Sequence, residues 1–155
     1  MKPVTVQYHF RQRFPYPAER AFRWCLDFHK DDLRLEGTDG ERKVVTVAAD
    51  LLLLTDSFPL GRAGRLTKRK LVRIRAAEHA WTSTHLSGPH RHSQFWYRIV
   101  PDGRSRCHLD FTGLHVEPTR SQSTDSGLRR LGDRLAREDA EAWRALARAM
   151  RRDLG

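Results

Sequence analysis

The feature that most constrains this chain is its tail, residues 127–150, which reads GLRRLGDRLAREDAEAWRALARAM. Leu128, Leu131, Leu135, Ala142, Leu146 and Met150 recur at helical spacing, with Trp143 at the edge of the same stripe. At about 100° per residue they line one face of a long amphipathic helix. Arg130, Arg134, Arg137, Glu141, Arg144, Arg148 and Arg151 take the opposite face. Nothing before residue 119 patterns as a helix of comparable length. The middle of the chain reads as strands, so helix and sheet must bury each other.

The chain opens on an alternation. Val4, Val6, Tyr8 and Phe10 alternate with Thr5, Gln7, His9 and Arg11, which predicts a half-buried strand to about Phe14. Pro15 and Pro17 stop its ladder, because neither donates a backbone hydrogen bond. Pro17 suits the first turn of a helix, and Ala18, Ala21, Phe22 and Cys25 share one face, predicting a helix over 17–27. A second short helix is expected over 30–35, ended by turns at Gly37 and at Asp39-Gly40. Six strands follow, over 42–49, 50–58, 66–75, 80–86, 93–100 and 106–116. Turns at Ser87-Gly88-Pro89 and Pro101-Asp102-Gly103 divide the later ones. A Ser/Thr-rich link over 119–126 leads into the final helix.

Strands joined by short turns pair antiparallel. The expected architecture is α+β: a curved antiparallel seven-stranded sheet around one long helix, in a single domain over 1–155. One helix cannot fill the whole concave side. The space left over is a cavity between helix and sheet, and apolar clefts of that kind take small ligands.

With 39% hydrophobic and 31% charged residues the chain reads as globular, not disordered. No apolar run is long enough to span a bilayer. The start of the chain alternates from the outset and lacks the apolar block of a signal peptide, so a cytoplasmic location is expected. Cys25 and Cys107 form no CxxC pair and read as two buried small residues, a pairing between them being the alternative. The formal net charge is +10. Its arginines are scattered among Asp and Glu, a pattern that a solvated surface produces without any partner. Nucleic acid is the less favoured partner, and the oligomeric state is open.

Residues 14–22, Phe14-Pro15-Tyr16-Pro17-Ala18-Glu19-Arg20-Ala21-Phe22, resemble the opening of the START/Bet v1-like (SRPBCC, polyketide cyclase/dehydrase-like) superfamily. That opening has an aliphatic residue, Ala-Pro, a Glu two positions on, and an apolar pair entering the helix. Here Tyr16 replaces the usual small residue, and Ala21-Phe22 is the apolar pair. The ending is similar too: a strand closing on Pro118, then one long amphipathic helix. The resemblance implies a helix-grip fold enclosing a hydrophobic cavity. It also implies a ligand of lipid, sterol, polyketide or quinone type, or cyclase or aromatase activity. No cyclase catalytic set matches residue by residue, so no catalytic residue is assigned.

Alternation turns Trp81, Phe95, Tyr97, Leu109 and Phe111 inward as pocket walls, with Arg98 compatible with either face. Leu135, Ala142 and Leu146 face them from the helix, and His85 joins the set. Asp139 falls in the middle of the apolar stripe, about 20° from the line of Leu128 and Leu146. An unpaired buried carboxylate there is costly. Three readings are open: a pair with Lys68, Lys70 or Arg98; a hydrogen bond to a Tyr or His; or a wetted position in the cavity that anchors a ligand's polar end.

Zinc needs three or four converging ligands. His90-x-His92 offers two, but a Gly-Pro turn separates them from His85, and no Cys or carboxylate adjoins them. They read as surface histidines on a hairpin, so no metal is assigned. There is no GxSxG, P-loop or GxGxxG, and no cofactor is expected. Three functions follow for test: a binding module for a small hydrophobic or amphipathic molecule, a cyclase or aromatase on the same fold, and an RNA- or ribosome-contacting protein using its basic surface.

Overall fold

The computed structural model describes residues 3–29, 32–35, 38–118 and 124–155. Its elements are β1 (Val4–Phe14), α1 (Ala18–Cys25), α2 (Asp32–Leu35), β2 (Glu41–Ala48), β3 (Leu51–Pro59), β4 (Arg65–Arg75), β5 (Ala80–His85), β6 (Gln94–Pro101), β7 (Cys107–Glu117) and α3 (Asp125–Leu154). Single 3-10 turns at Gly61–Ala63 and Ala76–Glu78 join β3 to β4 and β4 to β5. The expected turn at Gly37, the first residues of the second helix and most of the Ser/Thr-rich link lie outside the described residues.

The seven strands form one curved antiparallel sheet in the order β1-β7-β6-β5-β4-β3-β2. Strands β2 to β7 follow one another in sequence, as short turns dictate. Strand β1 is the exception. It pairs with β7 over its whole length, from Val4↔Glu117 to Phe14↔Cys107. The two short helices carry the chain from that edge to the other, where β2 begins.

Helix α3 is longer than the apolar pattern predicts at both ends. Thr124 caps it, its hydroxyl accepting the Gly127 N–H at 3.1 Å, so Asp125 and Ser126 belong to the helix and not to the link. At the other end Gly155, at φ 82°, closes onto the Arg151 carbonyl. Leu146 and Met150 are buried, and Leu128, Leu131, Leu135, Asp139, Ala142 and Trp143 are half-buried on the same face. Gly132 is buried where α3 meets β1; a Cβ there would sit 3.1 Å from Val6 Cγ1. The arginine face is exposed, with Arg134 reaching Glu138 at 3.7 Å across one helical turn. None of the described helices is long and apolar enough to cross a membrane.

Helix α1 buries Ala18, Ala21, Phe22 and Cys25. It is tied to the end of α3 by Trp24 Nε1 donating to Asp153 Oδ2 at 2.8 Å and Arg20 Nη2 donating to the Leu154 carbonyl at 2.8 Å. Both cysteines are free and buried. Burial holds the Cys25 thiol well above its ordinary value and pushes Cys107 up to about 11, so neither is an activated nucleophile.

Candidate functional site

The concave face of the sheet is built in layers by cross-strand register. In the first layer Phe10 faces Phe111, Phe111 faces Tyr97, and Tyr97 faces Trp81. Because side chains alternate, all four project to the same side. Their rings touch in sequence: Phe10 on Phe111 at 4.5 Å, Tyr97 edge-on to Phe111 at 5.1 Å, and Trp81 stacked flat on Tyr97 at 4.8 Å with 3° between planes. Trp143 of α3 comes down on this ladder, 5.8 Å from Tyr97 and 6.5 Å from Trp81. An aromatic row that the sequence shows as isolated residues is one continuous surface.

The next layer runs through Tyr8, Gly113, Phe95, Ser83 and Val72. Tyr8 lies directly across Gly113, and its ring covers the glycine: a Cβ on Gly113 would fall 2.5 Å from Tyr8 Cζ. The missing side chain lets the phenol lie flat across β7 and reach α3, where its hydroxyl donates to Asp139 Oδ2. Burial first, then the Asp139 carboxylate beside it, hold the Tyr8 phenol far above its ordinary value, so it stays a proton donor.

Beyond this layer the surface turns polar. Asp56 of β3 is fully buried. Arg42 grips it with two hydrogen bonds, Nε to Oδ1 at 2.8 Å and Nη2 to Oδ2 at 3.0 Å, and Lys70 Nζ lies 3.1 Å from Oδ2. Arg42 also reaches Asp32 of α2 at 3.7 Å. Burial alone would raise the Asp56 carboxyl, but the Arg42 hydrogen bond and the Lys70 and Arg42 charges outweigh it and hold it below the usual carboxylate range.

His85 faces Lys70 across β4 and β5. Burial, then the charges of Lys70 and Lys68, push its imidazole down to about 3, so the ring is neutral. Its Nδ1 is buried with no hydrogen-bond partner. Burial, then His115, lowers His90 as well.

These layers and α3 enclose a cavity of about 310 Å³. Of the residues singled out from the sequence, Trp81, His85, Phe95, Tyr97 and Phe111 of the sheet line it, as do Leu135, Asp139, Ala142 and Leu146 of α3. Leu109 does not line it. It is fully buried in the core, paired with Gln12 and Ile99, one position past the aromatic ladder. Arg98 is exposed on the convex side with Trp96. Of the readings considered for Asp139, the hydrogen bond to a tyrosine is present: the Tyr8 hydroxyl reaches it, while Lys70 lies at Asp56 and Lys68 sits 5.2 Å over the Phe58 ring. One histidine needs correction: His92 is exposed as expected, but His90 is half-buried and lines the cavity.

Tyr8, Arg42, Asp56, Lys70, His90 and His115 were not assigned to a site from sequence. Alternation carried a signal for most of them: Asp56 is in phase with Leu52 and Leu54, and His115 with Leu109 and Phe111. A carboxylate in an inward phase demands a cation on a neighbouring strand.

The state of His85 has a measurable consequence. The folded protein keeps the ring neutral, whereas the unfolded chain protonates it below about 6.5. The stability that depends on the neutral ring is complete above pH 6.5 and falls as the pH drops from 6.5 toward about 3. The slope approaches 1.4 kcal/mol per pH unit at most. Urea unfolding at pH 7, 5.5 and 4.5 should show this decline, and His85→Phe should flatten it. An equal slope in both proteins would rule His85 out as its source.

No protein family defined by sequence matches the chain, and no curated protein does. Solved structures do. The Zhui aromatase/cyclase of Streptomyces sp. R1128 superposes with a TM-score of 0.77 at 11% identity, over 98% of this chain and 97% of that one. A protein of Thermus thermophilus gives 0.72 at 14% identity, over 96% of this chain and 99% of that one. A truncated norcoclaurine synthase of Thalictrum flavum gives 0.67 at 11% identity, over 96% and 95%. The chain shares the fold of these structures, a helix-grip arrangement of a curved antiparallel sheet around a long C-terminal helix. At these identities the likeness speaks for the fold, and function has to be argued from the site.

Proposed function

We propose that the protein binds a small amphipathic molecule, with a flat apolar body against the aromatic ladder and a polar end toward the polar groups of the cavity. The observation that carries this reading is the cavity itself: about 310 Å³, with a stacked aromatic floor and a few convergent polar groups. Its volume sits at the lower end of the range for small-molecule sites. A packed core has no use for a neutral His85 with an unpartnered Nδ1, or for a Tyr8–Asp139 pair beside open space. A ligand with a hydroxyl or carbonyl group has use for both. The aromatase/cyclase and the norcoclaurine synthase of similar fold make an aromatic ligand the natural first choice.

The test uses 1-anilinonaphthalene-8-sulfonate, an aromatic probe with one polar end, followed by its own fluorescence and by quenching of Trp143 and Trp81. Ala142→Phe fills the cavity from α3 and should weaken binding at least tenfold, with a stability change of no more than about 1–3 kcal/mol. Asp139→Leu should leave stability within about 1 kcal/mol, because the freed Tyr8 hydroxyl can turn to cavity water. Binding that ignores Ala142→Phe would place the probe elsewhere and sink the reading.

A second reading, catalysis of the cyclase or aromatase type, is favoured by one specific observation. His85, Tyr97 and Asp139 all line the same cavity, and the neutral His85 has a buried Nδ1 open to a hydrogen bond with a substrate; with its pKa pushed down to about 3, the ring would position a substrate and not act as a strong base. Turnover of an aromatic polyketide-like substrate that His85→Phe abolishes without loss of probe binding would establish it.

A further inference from the structure

We infer that His90, His115 and Glu117 form a site for one divalent transition-metal ion, with zinc the best match, in the wall of the cavity. His115 and Glu117 are two residues apart on β7, so both side chains leave the strand on its concave face. His115 is almost fully buried. His90 arrives from the connection between β5 and β6, which Gly88 at φ 93° and His92 at φ 74° fold back on itself. That turn is pinned twice. The Ser93 N–H donates to the His90 carbonyl at 3.0 Å. The fully buried Ser93 hydroxyl accepts the Val116 N–H at 2.9 Å, on the residue between the other two donors. The backbone carrying all three donors is thus one connected unit.

One donor atom from each residue lies within 4.8 Å of the others. His115 Nε2 and Glu117 Oε2 are 2.5 Å apart, and the two imidazoles are 4.6 Å between centroids. A tetrahedral zinc with bonds near 2.0–2.2 Å holds its ligands about 3.3 Å apart, a distance that side-chain rotation reaches from here. The second observation is independent of this spacing. His90 Nδ1 is buried and has no hydrogen-bond partner. The His115–Glu117 bond satisfies those two groups and leaves His90 facing another imidazole. A metal ion in place of the shared proton satisfies all three.

The donor set, two imidazoles and one carboxylate, matches zinc and excludes calcium and magnesium, which take oxygen ligands. Lys68 on β4 acts on His90 and opposes a cation there; the Glu117 charge offsets it. His90 and His115 both line the cavity. Three protein ligands leave a fourth position, which water or a ligand oxygen can complete.

The experiment titrates tag-free protein, stripped with chelator and dialysed, with Co²⁺, following the visible absorption of the tetrahedral ion. Wild-type protein should bind one equivalent, and Zn²⁺ should displace it. His90→Ala, in a turn and tolerant of change, and Glu117→Gln should each weaken binding about a hundredfold or more, since even outer partners of a metal ligand are worth ten- to a hundredfold. His92→Ala, on the same turn but exposed, should change nothing. Co²⁺ affinity equal in wild type and His90→Ala, or lowered as much by His92→Ala, overturns the site. The titration reads the metal directly, so it succeeds or fails independently of probe binding in the cavity.

Discussion

Replacing Asp56 by leucine is expected to cost about 3–5 kcal/mol of folding stability, among the largest effects of any single change in the sheet. Asp56 is wholly buried, and two cations converge on it: Arg42 through two hydrogen bonds and Lys70 at 3.1 Å. The Arg42 side chain is itself only 6% exposed. Removing the carboxylate takes two hydrogen bonds from that guanidinium, which keeps its ion pair with Asp32 at 3.7 Å, and takes the ion pair at 3.1 Å from Lys70. The cost of leaving two desolvated cations with fewer partners, more than the lost attraction, sets the size of the effect. The double variant Arg42→Met, Asp56→Leu should therefore recover much of the loss, with Lys70 turning its ammonium toward cavity water. Urea unfolding at pH 7 measures both. A single-variant loss below about 1 kcal/mol would mean that Arg42 and Lys70 find water easily and the network is not buried in the sense described. The pH dependence has a fixed sign. The Asp56 carboxyl is held below its usual range, so its contribution is complete above about pH 4, the unfolded value, and is lost as the pH falls through the lower folded value.

This network also marks the limit of what the sequence reveals. The final helix, its buried face, the seven strands and most of the inward-facing aromatics follow from periodicity, because one period governs a whole element. Asp139 was legible for the same reason: a single carboxylate in an apolar stripe stands out. Its partner was not. Tyr8 is an ordinary apolar position of β1 until β1 is known to pair with β7, and that pairing joins the two ends of the chain. Nor could local spacing show that His90 meets His115. In the sequence His90 stands near His85 and His92, while His115, which it meets in space, belongs to a strand one hairpin further on. Pairs within an element are written in the sequence; pairs between elements depend on the order of strands in the sheet.

Gly113 is where that order matters most for the site, and Gly113→Ala is expected to cost about 2–3 kcal/mol and to weaken probe binding. The reason is not backbone strain. A Cβ at this position would lie 2.5 Å from Tyr8 Cζ, 2.6 Å from Cε1 and 2.8 Å from the hydroxyl, inside the closest approach real atoms make. The Tyr8 ring is rigid and only 7% exposed, and the atoms it would meet belong to the backbone-fixed Cβ of a paired strand. It cannot yield by a small rotation, so it must leave its place, as overpacked side chains do. Its hydroxyl then parts from Asp139, and the carboxylate on α3 loses the donor that orients it. Tyr8→Ala alone should also destabilise, through the cavity it opens and the lost hydrogen bond. Once Tyr8 is alanine, however, the new methyl group on residue 113 has nothing to strike. In the double variant Gly113→Ala should then cost little, giving a coupling of about 1 kcal/mol or more between the two sites. Additive losses in that cycle would show that Gly113 serves the strand and not the ring, and that Tyr8 reaches Asp139 without needing the glycine beneath it.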